Sequence, residues 1–136
     1  MITLGGRKLF EEIDKPTRMK ILSEKADAIE IEAGWTGDLK GFNGFPDGKM
    51  VGSGSSVQNK NGVTISHWEG FFTTNDGHEL LFNGRDMSKN NKFVVLRTYF
   101  TNSDNLKWMN GLICILEGEF MPDANEFRSV GYEWLK

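Results

Sequence analysis

From about Ile29 to Leu135 the chain repeats runs of β-branched and aromatic residues, each near ten residues long and separated by short Gly, Asn and Asp clusters. Alternation of apolar and polar positions over such runs is the mark of strands with one buried face. Strands are predicted over about 19–23, 28–37, 49–58, 63–74, 78–86, 92–102, 111–121 and 126–135. The punctuation fits hairpins: Pro46-Asp47-Gly48, Asn61-Gly62, Asp76-Gly77 and Pro122 to Asn125 supply residues that accept turn geometry. The longer link NSDNLKWMNG is predicted to hold a short helical turn near 103–109, capped by Ser103 or Asp104 and followed by Gly111.

Hairpin after hairpin makes sequence neighbours spatial neighbours. About eight long antiparallel strands are more than a small open sheet needs, and closure removes the exposed edges. The expected fold is all-β: a single antiparallel β-barrel of about eight strands, one domain over 1–136, with two stacked sheets as the alternative. LFEEI has helical spacing at Leu9, Phe10 and Ile13 before Pro16, so residues 1–18 are expected to form an N-terminal arm ahead of a barrel over 19–136.

At 136 residues the chain has enough surface to bury for a core without disulfides or a structural metal. Its single cysteine, Cys114, lies inside the apolar run LICIL and reads as a small hydrophobe. A net charge of -3 with scattered basic residues argues against a nucleic-acid partner. No stretch is long and apolar enough for a secretory signal or a membrane span, so a cytoplasmic location is expected. Two His without metal-ligand spacing give no metal site, no cofactor is expected, and GSGS at Gly52 to Ser55 lies in a predicted strand rather than opening a helix.

Through nearly its whole length the sequence resembles a family of small uncharacterised bacterial and archaeal proteins. The resemblance is carried by KLFEEIDKPTRMKIL, PDGKMVGSG, HWEG at His67 to Gly70, TNSDNLKWMNG and YEW at Tyr132 to Trp134. It implies a barrel like that of allene oxide cyclase, similar to the calycins, and it implies a fold rather than a reaction. The chain departs from the family where a Gly-rich segment is replaced by the bulkier NNKFVVLRTYF.

If Asp76-Gly77 is a two-residue turn, Asn75 pairs with His78, Phe71 lies opposite Phe82 and His67 opposite Asp86. His67, Glu69 and Asp86 then meet inside one end of the barrel; the alternatives are a hydrogen-bonded rim cluster or a register off by one that turns them to water. A His beside carboxylates has its pKa raised and could serve as a base or bind a polar group. On the strand FVVLRTYF, Arg97 and Tyr99 share a face with Phe93 and Val95. Arg97 could hold a ligand carboxylate, or pair internally with a residue such as Glu117. The predicted cavity is walled by Phe71, Phe82, Val95 and Tyr99, with His67, Glu69, Asp86 and Arg97 as polar contacts, and suits an amphipathic carboxylic acid.

Val94, Leu96 and Phe100 make the opposite face of the same strand apolar, and Ile113 and Ile115 continue it. Either the N-terminal arm or a second subunit in a homo-oligomer, most simply a dimer, is expected to cover it. Trp134 is expected to be buried in the closing strand. Three functions follow: binding of a small, largely apolar ligand, a cyclase or isomerase acting on an oxygenated apolar substrate, or a filled structural barrel acting through self-association.

Overall fold

The computed structural model describes residues 6–134 and shows eight antiparallel strands closed into a barrel in the order β1 to β8. The strands are β1 (Lys8–Glu24), β2 (Ala28–Gly41), β3 (Gly48–Asn59), β4 (Thr64–Thr74), β5 (Glu79–Lys89), β6 (Lys92–Phe100), β7 (Ile113–Met121) and β8 (Glu126–Glu133). A 3-10 helix, Asp104–Met109, occupies the β6–β7 link and buries Leu106 and Met109. No helix among the described residues is long and apolar enough to cross a membrane. The expected strand end at Leu135 and the first five residues of the expected arm lie outside the described residues.

The arm is a strand. Residues 8–18 form the first part of β1, which pairs with β2 from Phe10 to Glu24 and with β8 only from Lys8 to Asp14. Pro16, read as a helix stop, sits just past the end of the β8 ladder and at a register shift against β2. A proline without an N–H is tolerated at such an edge. From Lys15 onward β1 therefore has a partner on one side only.

One end of the barrel is filled. Phe45, in the β2–β3 loop, meets the rings of Phe10, Phe72, Tyr99 and Trp108 at centroid distances of 5.0, 5.9, 5.7 and 6.1 Å. Leu9, Met50, Leu80 and Met109 complete this stopper, all essentially without exposure. Cys114 is buried beside them, and burial pushes its thiol up to about 12, as expected of an inert core cysteine.

Two further sequence expectations fail. Trp134 is not buried: it is 42% exposed just past β8. The β4–β5 turn is also one residue longer than expected. The Thr74 and His78 backbones pair across it, and Gly77 takes φ +94°. This is the arrangement of a three-residue loop with a left-handed glycine at its end. The register moves by one, so Phe71 opposes Leu81 and Ser66 opposes Asp86. Because side chains alternate, a one-residue slip turns the whole of β4 over.

Candidate functional site

The other end of the barrel is open and leads to a cavity of about 480 Å3. Its apolar wall comes from Ile31, Trp35, Trp68, Phe93, Val95, Leu116 and Phe127. The GSGS run is the bed on which the tryptophans lie: a side-chain carbon at Gly52 would run into the Trp35 ring, and one at Gly54 would sit 2.8 Å from Trp68 Cε3. The two indoles meet edge to face at 6.5 Å. Two glycines at alternate positions thus widen the lumen enough to hold large rings in its wall.

The polar floor begins with Arg97 and Glu12. Arg97 Nη1 donates to Glu12 Oε1 at 2.6 Å and Nη2 to Oε2 at 3.0 Å, a bidentate pair with both side chains buried. Nη1 also donates to the Tyr99 hydroxyl at 3.3 Å. The guanidinium carbon stands 5.1 Å from the Phe82 ring centroid. Burial opposes ionisation of Glu12, but the adjacent guanidinium outweighs it and holds this carboxyl below its ordinary range.

Asp14 follows Glu12 on the same face of β1, and Asp86 reaches the cavity from β5. Burial, then the neighbouring Glu12 charge, push the Asp14 carboxyl well above the ordinary value of 3.8. Burial also raises Asp86, against the opposing hydrogen bond from Trp68 Nε1 to its Oδ2 at 2.9 Å. Ser56 and Ser66 hydroxyls bond to each other at 2.7 Å alongside. Among the described residues, the buried side-chain atoms without a hydrogen-bond partner are Asp14 Oδ1, Asp86 Oδ1, Arg97 Nε and Ser129 Oγ. All four belong to residues lining this one cavity.

Of the residues expected to form a site, Phe82, Asp86, Val95, Arg97 and Tyr99 face the barrel interior. His67, Glu69 and Phe71 do not. The β4 slip places all three on the outer surface, where His67 Nε2 lies 3.1 Å from Asn83 Oδ1 and Phe71 is 47% exposed. Phe82 and Tyr99 lie deeper than the cavity wall, and Arg97 pairs with Glu12 rather than Glu117. Glu12, Asp14, Trp35, Trp68 and Ser129 were not anticipated. Period-two reading of FEEID would have placed Phe10, Glu12 and Asp14 on one face, and an inward acid demands a cation such as Arg97.

The two raised carboxyls make stability depend on pH in a defined direction. Between the ordinary aspartate value and its own higher value, folded Asp14 holds a proton that the unfolded chain has released, so stability falls as pH rises through that window. Asp14→Asn, which stays neutral throughout, is expected to be more stable than wild type at pH 7. The two should converge below about pH 4. Urea unfolding at the two pH values checks this; an Asn variant less stable at pH 7 would mean that Asp14 is folded as a carboxylate.

No family model and no curated sequence matches the chain. Solved structures match its fold across nearly the whole length. A protein of unknown function from Clostridium acetobutylicum has a TM-score of 0.78 at 15% identity, covering 93% of this chain and 96% of its own. A β-barrel-like protein from Acinetobacter baumannii has the same TM-score and identity, covering 93% and 92%. An enzyme from Penicillium herquei has a TM-score of 0.74 at 18% identity, covering 98% of both chains. At such identities the likeness is one of fold: this chain is a small β-barrel of the kind found in these largely uncharacterised proteins.

Proposed function

We propose that the protein binds a small amphipathic molecule in the open half of the barrel. The observation that carries this reading is an open cavity of about 480 Å3 with an aromatic and aliphatic wall and a floor of polar residues, four of which hold a buried polar atom without a partner. An amphipathic ligand can cover the indoles with its apolar body while its polar group meets the polar lining residues of the floor. The volume lies within the roughly 300–1,000 Å3 of small-molecule sites.

The floor selects the ligand's polar group. Both terminal nitrogens of Arg97 already serve Glu12, so a carboxylic acid finds no guanidinium fork to repay the desolvation of its charge. A hydroxyl or other neutral hydrogen-bonding group fits better, since it can exchange hydrogen bonds with the lining hydroxyls of Ser56 and Ser66 and with the Asp86 carboxyl. Titration at pH 7 with decan-1-ol and decanoate, followed by the fluorescence of Trp35 and Trp68, tests this. Decan-1-ol should bind saturably and at least about tenfold more tightly than decanoate, a difference of about 1.4 kcal/mol. Equal affinities, or saturation by neither, would refute the reading.

One observation favours a second reading, a cyclase- or isomerase-type enzyme on an oxygenated apolar substrate, in line with the resemblance to allene oxide cyclase-like barrels. Asp14 lines the cavity, and burial together with the Glu12 charge raises its carboxyl well above the ordinary value, which favours the protonated form a proton donor needs. In either reading the protein acts as a homo-oligomer, because the N-terminal segment, built into the wall as β1, does not cover the outer apolar face.

A further inference from the structure

We infer that a second copy of this chain docks on the outer face of β3 to β6 through a two-fold axis, with Glu69 of each subunit meeting Arg85 of the other. This rests on the homo-oligomer reading and gives it a surface. It keeps β6 from the face expected to carry the contact and drops β7, where Ile115 and its neighbours are buried in the subunit and only Ile113 among them reaches the surface.

The face is patterned. Val51, Phe71, Leu81 and Phe100 stand in register across β3, β4, β5 and β6. Their exposures are 58, 47, 51 and 47%. Towards the open end, Val57, Ile65, Met87 and Val94 form a second such row across the same four strands. The last three are likewise exposed. Neighbouring large side chains directly opposite on adjacent strands make a continuous apolar strip rather than scattered surface residues.

Between the strips lie Glu69 on β4 and Arg85 on β5, both exposed. Neither has an ion-pair partner in its own subunit among the described residues; several exposed lysines and acids share this, but the other four arginines, Arg7, Arg18, Arg97 and Arg128, are all paired. A two-fold contact brings residue i to residue j and j to i, so one acid and one base on a single face form a self-complementary set. An unrelated partner would need no such balance.

Four strands about 4.8 Å apart, over the seven residues from Ile65 to Phe71 at about 3.3 Å each, make a patch of about 440 Å2 in flat projection. That is about half of the roughly 800 Å2 a stable interface buries on each partner, the rest coming from the flanks of the protruding side chains. Two such faces packing about 10 Å apart would set strip against strip and leave Glu69 and Arg85, on adjacent rows, between them.

Charge reversal tests the pairing. Sedimentation velocity at micromolar concentration should show a wild-type dimer. Glu69→Arg alone sets Arg against Arg85 twice, Arg85→Glu alone sets Glu against Glu69 twice, and each should weaken dimerisation at least tenfold. Mixing the two variants should restore a dimer containing one copy of each. Circular dichroism keeps the result interpretable, since both positions are exposed and each variant should retain the wild-type spectrum. A wild-type monomer would overturn both this face and the homo-oligomer reading. A wild-type dimer indifferent to both reversals, or variants that stay monomeric when mixed, would overturn this face alone. Neither result bears on ligand binding in the cavity.

Discussion

Arg97→Met is expected to cost about 3–5 kcal/mol of folding stability, because it strands the Glu12 carboxylate in the barrel floor without a counter-charge. Desolvation of two ions is repaid here by two well-aligned hydrogen bonds, and removing one partner leaves the whole penalty on the other. The loss should therefore shrink as pH falls, since protonating the orphaned Glu12 removes the buried charge. Pairing it with Glu12→Leu should recover most of the stability, because a matched apolar pair has no charge left to solvate. Urea unfolding of the single and double variants measures both effects. A single-variant loss under about 1 kcal/mol would mean that water reaches Glu12 and the floor is not sealed.

Phe45→Ala should be comparably damaging, at about 3–5 kcal/mol, although Phe45 lies in a loop rather than a strand. It is the ring on which the stopper converges, touching aromatics from β1, β4, β6 and the helical link. Without it Phe72 and Tyr99 face a void that strand backbones cannot collapse to fill. Thermal unfolding checks this against Trp134→Ala, where a half-exposed ring should cost far less. If the two variants melt alike, the stopper is not what closes that end.

The strand count, the helical turn in the β6–β7 link and the inward faces of β5 and β6 were legible because Leu80, Phe82, Val95 and Tyr99 alternate with surface residues over long runs. β4 was legible as a strand but not as a surface. Its two faces carry aromatics in nearly equal number, Phe71 on one and Trp68 and Phe72 on the other, so only the turn could decide between them. Asp76-Gly77 is compatible with both a two- and a three-residue loop. Three of the eight candidate site residues, His67, Glu69 and Phe71, followed that choice outward. β1 was hidden for another reason: LFEEID places two acids at inward positions, and nothing local shows that Arg97, 85 residues later, neutralises one of them. Pro16 added a stop signal whose meaning depends on where β8 ends.

The pairing of β1 with β8 differs from every other pairing in the barrel. Seven ladders join strands adjacent in sequence, whereas this one brings Asp14 to Phe127 and Lys8 to Tyr132. Hairpins can zip progressively, each short loop repaid at once, but the last ladder must draw together the two ends of a ring already nearly built. Glu12 sits on that ladder opposite Ser129, and its partner Arg97 stands two strands from β8 on β6. The buried ion pair thus forms a latch as well as a floor. It can form only when β1 has reached its place, so the same contact that shapes the cavity also marks the ring as complete.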